Sequence, residues 1–166
     1  MSITNLEELF VHELKDVLDA ERQILKALPK MIKAATSDEL QAALEEHQGV
    51  TEAQVERLET IFEGMGKAAR GKKCPGMEGV LEEGAELIAE EDPSVALDAA
   101  LICAAQKVEH YEIAAYGSLA TYAKLLEMDE AAELLETTLA EEKEADEKLT
   151  SIASELNLLA ERAAAE

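Results

Sequence analysis

Glu109 and Glu112 stand where their side chains raise a chemical question. The stretch around them reads as uninterrupted helix, with no Pro or Gly from Val95 to Tyr116. Its apolar seam runs Ile102, Ala105, Glu109, Glu112, Tyr116, Leu119, Ala123. The steps alternate between three and four residues, the stripe that a helix turns toward a core. Two carboxylates therefore occupy core positions, and burying a carboxylate is costly unless it is paired or bound to a cation. Three other seams repeat the anomaly. One reads Leu14, Val17, Glu21, Ile24, Leu28, and a second reads Leu40, Leu44, His47, Thr51, Gln54, Leu58, Ile61. The third reads Leu135, Thr138, Glu142, Ala145, Leu149, Ile152, with Asp146 just beside it.

Carboxylates gathered at one level of a core cannot all stay ionised without a counter-charge, because like charges raise one another's pKa. No Lys or Arg holds a seam position beside them; Lys107 and Lys143 fall just off it. A pair of divalent cations would neutralise the cluster. The mixed carboxylate and imidazole set of Glu21, His47, Glu109, Glu112, Glu142 and Asp146 suits iron, with manganese as the alternative, better than zinc. Glu21 and Glu142 would be terminal ligands, Glu109 or Glu112 the bridge, and His47 a neutral donor. Each residue also has a plainer reading. A lone seam Glu is commonly a snorkelling surface residue, His47 alone could be a satisfied core histidine, and Asp146 a solvated charge. Recurrence at matching depth in all four helices favours the metal. Thr51 and Gln54 read as supporting or packing residues, Tyr111, Tyr116 and Tyr122 as packing residues, and His12 and His110 as off the seams.

The elements that must position these residues follow from caps and breakers. The first helix starts near Thr4 or Asn5 and runs to about Ala35, with Pro29 expected to kink it. The second starts after Ser37 and runs to about Glu63. Gly64 to Gly76 is rich in Gly and basic residues and reads as a loop with Cys74 in it. A short helix is expected over Met77–Glu91. Asp92-Pro93-Ser94 then opens the third long helix, which runs to about Glu127, and the fourth runs from near Met128 to about Leu159. The long connection between the second and third long helices can cross the full height of a bundle. Two hairpins joined by such a crossover predict an all-α fold, the ferritin-like four-helix bundle with a short extra helix on the crossover. Residues 1–160 form this one domain, and residues 161–166 are expected to be a frayed tail.

Composition narrows the partners. Apolar residues make up 48% of the chain and aromatics only 3%, which suits helix-on-helix packing. With 37 acidic against 15 basic residues the net charge is -22, which argues against nucleic acid and against an anionic membrane. No apolar run approaches the roughly 20 residues needed to span a bilayer, and the N-terminus has no cationic, apolar signal region. A cytoplasmic protein is expected. Cys103 reads as a small buried apolar residue and Cys74 as a loop thiol.

Several runs also resemble a known family. Asp19-Ala20-Glu21-Arg22-Gln23, Val55-Glu56-Arg57-Leu58-Glu59 and Cys74-Pro75-Gly76-Met77-Glu78-Gly79 are similar to the YciE/YciF family of bacterial stress-associated, ferritin-like proteins. So are Ala104-Ala105-Gln106-Lys107-Val108-Glu109-His110-Tyr111-Glu112-Ile113-Ala114 and Glu141-Glu142-Lys143-Glu144-Ala145-Asp146-Glu147-Lys148-Leu149. The resemblance implies a rubrerythrin-like bundle, often a homodimer, with a di-iron centre; the metal reading of the residues would have such a centre react with oxygen or peroxide. The chain departs from the general di-iron pattern of Glu-x-x-His on the second and fourth helices. It has Thr51-x-x-Gln54, with His47 a turn earlier, and Glu142 with Asp146, so one metal or two remain open. The alternative is a non-catalytic structural or protective oligomer whose site is degraded or metal-free.

Overall fold

The computed structural model describes residues 3–163. Five helices follow one another: α1 (Leu6–Ala34), α2 (Asp38–Gly64), α3 (Pro75–Glu90), α4 (Val95–Leu125) and α5 (Asp129–Ala163). The starts are set by capping. Asn5, Ser37 and Ser94 each accept a hydrogen bond from a backbone amide of the first turn, those of Glu8, Leu40 and Leu97 respectively. Pro29 lies inside α1 without ending it. Cys74 is not in the open loop; it is the N-cap of α3 and fully buried, so α3 begins at Pro75 rather than Met77. α5 continues through Ala163, past its expected end near Leu159, so residues 161–163 of the tail expected over 161–166 are helical, and 164–166 lie outside the described residues.

α1 and α2 form one hairpin, α4 and α5 the other, and α3 lies on α1 and α4. The four long helices share a core that falls into two apolar clusters. One joins Ile24, Leu28 and Met31 to Leu40, Leu44, Leu97, Leu101, Ile102, Leu149 and Ile152. The other joins Phe10, Leu14 and Leu18 to Leu58, Phe62, Tyr116, Leu119 and Leu135. The beginnings of α2 and α4 share the first cluster and their ends the second, so the two run parallel, as the long crossover predicts. This is the ferritin-like arrangement. Each fully buried Leu or Phe stabilises the fold by about 1.5–3 kcal/mol, so the two clusters can carry the energetic cost of what lies between them.

What lies between is polar. Leaving the first cluster, α2 presents His47, Thr51 and Gln54 before reaching Leu58, and all three are buried. α4 presents Glu109 and Glu112 between Val108 and Tyr116, α5 presents Thr138 and Glu142 between Leu135 and Leu149, and α1 presents Glu21. A polar layer thus crosses the middle of the bundle. Cys103 falls off the seam of Ile102 and Ala105 and is exposed, contrary to the buried position expected for it.

Candidate metal centre

Four of the six expected ligands converge. His47 from α2, Glu109 and Glu112 from α4 and Glu142 from α5 each offer a donor atom, and these atoms all lie within 4.8 Å of one another. His47 Nε2 is 3.5 Å from Glu109 Oε1. Three helices meet here for a local reason: the residue spacing of each seam puts its polar residue on the core face, and the apolar clusters above and below hold the faces in register. Glu21 enters from α1 beside Glu112 and is fully buried. Its Oε1 accepts a hydrogen bond from the Tyr116 hydroxyl.

Asp146 is placed outside this group. Its carboxylate accepts from Gln106 Nε2 at 3.0 Å and faces His110 Nε2 at 3.3 Å. His110 is largely exposed, and His12 sits 3.1 Å from Glu13 at the other end of the bundle.

Three residues that the sequence reading gave only a supporting or packing role, or none, surround the layer. Gln54 donates through Nε2 to Glu142 Oε1 and, at 3.3 Å, to Glu141 Oε2. Arg57 reaches the layer's edge, where its guanidinium grips Glu141 at 2.5 and 2.6 Å and donates to Thr138 Oγ1 at 3.1 Å. A cation does approach the carboxylates, then, though off the seam; its charge is taken up by Glu141 rather than by the buried glutamates. Tyr116 is the third. Its seam position was legible, but its partner was not.

The donor set fits a divalent cation, as two buried carboxylates of the same chain make clear. Asp98, 1% exposed, is fully satisfied: Thr36 N donates to Oδ1 at 2.7 Å, while Thr36 Oγ1 and Ser37 N donate to Oδ2 at 2.6 and 3.0 Å. Glu112 is buried as deeply, yet neither of its oxygens has a hydrogen-bond partner. The same is true of Glu21 Oε2, Glu109 Oε2, Glu142 Oε2 and His47 Nε2. Buried polar atoms are ordinarily paired, so lone-pair donors facing one another from four helices form a cradle for positive charge.

The electrostatics agree. Burial, reinforced by the neighbouring glutamates, pushes Glu109 and Glu112 well above the ordinary carboxylate range. Burial likewise raises Glu21 to about 8, although the Tyr116 hydrogen bond pulls it the other way. Burial lowers the His47 pKa, which favours the neutral imidazole. A metal-free layer must therefore hold protons; a bound cation would replace them.

Residues 5–163 match the family described as a domain of unknown function, DUF892. The chain belongs to this family. Protein YciF of Escherichia coli K12 is 44% identical to it over 154 residues, 92% of this chain and 93% of that protein. The solved structure of the E. coli stress protein YciF matches with a TM-score of 0.89 at 42% identity, covering 93% of this chain and 98% of that one. YcfI, a candidate structural protein from Rhodopseudomonas palustris, matches with a TM-score of 0.87 at 43% identity, covering 90% and 95%. A Xanthomonas campestris protein, 22% identical, shares the fold with a TM-score of 0.77. The expected family and the ferritin-like fold hold, and the chain is a YciF-like helical bundle. No helix among the described residues is long and apolar enough to cross a membrane.

Proposed function

We propose that this protein binds a pair of divalent metal ions, iron in the first instance and manganese as the alternative, in its polar layer. The ligands are Glu21, His47, Glu109, Glu112 and Glu142. Asp146 acts from outside, through Gln106 and His110. The observation that carries this reading is the set of buried, unpartnered donor atoms on all four long helices. Bound metal would supply redox and Lewis-acid chemistry toward oxygen or peroxide, consistent with the stress protein among the relatives.

The chain's own residues prepare the layer. Glu112 offers two free oxygens, and neutral His47 offers a lone pair. Tyr116 and Gln54 each hold one oxygen of a glutamate, Glu21 and Glu142, and leave the other free. The two apolar clusters keep bulk water from both sides of the layer.

Anaerobic titration of metal-free protein with Fe(II), followed by metal analysis and oxygen-dependent absorbance, tests the proposal. About two ions per chain are expected, with a marked loss in Glu109→Ala. Uptake that is absent, or unaffected by that substitution, refutes it. The homodimer that the family resemblance implies, and the cytoplasmic location expected from the sequence, would be checked by light scattering and cell fractionation.

One observation favours a second reading. The Gln54 amide and the Arg57 guanidinium already engage Glu142 and Glu141, so a protonated layer could persist without metal in a structural or protective oligomer. The relative described as a candidate structural protein is consistent with that. In that case metal would leave thermal stability unchanged.

A further inference from the structure

Among the residues of the layer, His47 keeps the most solvent contact. It is 9% exposed, against 0% for Glu21, Glu112 and Glu142 and 2% for Glu109. Two cavities meet its ring. Toward α1 lies a small cavity of about 10 Å³, bounded by Ile24, Leu28, Leu44 and Val108 and closed by His47 and Glu109. It shares Met31, Leu81 and Val108 with a larger apolar groove, about 530 Å³, under α3. Between α2 and α5 lies a different kind of pocket. It measures about 170 Å³, and Glu46, Glu141, Glu144 and Lys148 line it, with His47 as its inner wall.

A hydrated divalent cation exchanges its waters for oxygen or nitrogen ligands one after another. Apolar walls supply none, and a cation stripped against them gains nothing for the lost hydration. The α2–α5 pocket supplies carboxylates along its length. They are not equally available: Glu141 is held by Arg57 and Glu46 by Lys148. Glu144 is exposed and makes no ion pair among the described residues. His47 lines this pocket, while its buried, unpartnered Nε2 faces Glu109 at 3.5 Å, so one side chain joins the pocket to the polar layer. That junction distinguishes the pocket from an ordinary acidic surface.

We propose that divalent cations reach the polar layer through the α2–α5 pocket, captured by Glu144 and passed inward at His47, with Lys148 slowing capture by occupying Glu46. This rests on the metal-binding reading and adds to it a route and two residues that set its rate. No ligand of the layer is altered in testing it, so rate and capacity can be separated.

The test is stopped-flow uptake of Co(II) by the full-length metal-free chain, with final stoichiometry measured by metal analysis. At about 10 mM ionic strength, Glu144→Gln is expected to slow association roughly three- to tenfold and Lys148→Gln to accelerate it. Both differences should shrink to less than about twofold near 0.5 M salt, where screening is nearly complete. Capacity at equilibrium stays at the wild-type value in both. Glu82→Gln, the same charge change on the rim of the apolar groove, should leave the rate alone. If wild type loads Co(II) fully but the Glu144 and Lys148 variants load at its rate, the route is wrong and the metal reading stands. The route is also wrong if Glu82→Gln slows uptake as much as Glu144→Gln. If wild type takes up no Co(II), both proposals fall.

Discussion

The Tyr116 hydroxyl donates a hydrogen bond to Glu21 Oε1, tying α4 to α1 at the edge of the polar layer. Both side chains are fully buried. The bond holds one oxygen of Glu21 and leaves the other without a partner, and it opposes the rise in the Glu21 pKa that burial causes. In Tyr116→Phe the ring still fills its site but Glu21 loses its donor. Stability of the metal-free protein should fall by about 1–3 kcal/mol, the cost of an unmet buried acceptor. Metal affinity near neutral pH should also fall, because Glu21 then holds its proton more tightly. Urea unfolding and a metal titration measure the two effects separately.

Acidity should act on this protein in an unusual direction. Glu21 has its folded-state pKa raised to about 8, and Glu109 and Glu112 are raised as well. Between the ordinary carboxylate range and those values, the folded state binds more protons than the unfolded one, so stability decreases as pH rises. The slope is at most about 1.4 kcal/mol per pH unit for each such group. Metal-free protein in chelator should therefore unfold at lower urea at pH 8 than at pH 5.5. Saturating divalent metal should flatten or reverse the trend, because the cation replaces the protons.

Glu112 offers the sharpest separation of folding from binding. Neither of its oxygens is hydrogen-bonded, so Glu112→Gln removes, at nearly constant volume, a carboxyl that must take up a proton to be buried without metal. The metal-free variant should be more stable than wild type at pH 8, by about 1–3 kcal/mol. It should lose most of the stabilisation that metal gives wild type. Melting curves with and without metal supply both numbers. A destabilised metal-free variant would mean that Glu112 has a partner within the protein.

Asp98 is the counter-case. Its carboxylate caps the α1–α2 turn through Thr36 and Ser37, and it pins that turn to α4. Asp98→Ala leaves three donors unmet and should cost about 2–4 kcal/mol. The loss should be the same with or without metal. Parallel thermal melts of the two forms distinguish this structural carboxylate from those of the layer.

Much of this was legible in residue order. The spacing of apolar positions put Glu21, His47, Glu109, Glu112 and Glu142 on core faces, because a helix repeats its face every three to four residues whatever it packs against. Caps such as Ser37 and Ser94 were local too, since they bond within their own first turn. The long crossover implied that α2 and α4 run parallel, and they do.

Other features depended on contacts between distant segments. Asp146 lies only four residues beyond Glu142, yet the packing of α5 against α4 pairs it with Gln106 rather than with the layer. Gln54 and Arg57 acquired roles only when α2 and α5 came into contact. Cys74 looked like a loop residue because its burial depends on α1 and on Tyr111, which a linear pattern does not register. Sequence alone determined which face of each helix is polar, because helical periodicity is a local property. Tertiary structure decided which of those polar groups meet and which are already paired, because the level and rotation at which two helices pack are set by the core between them.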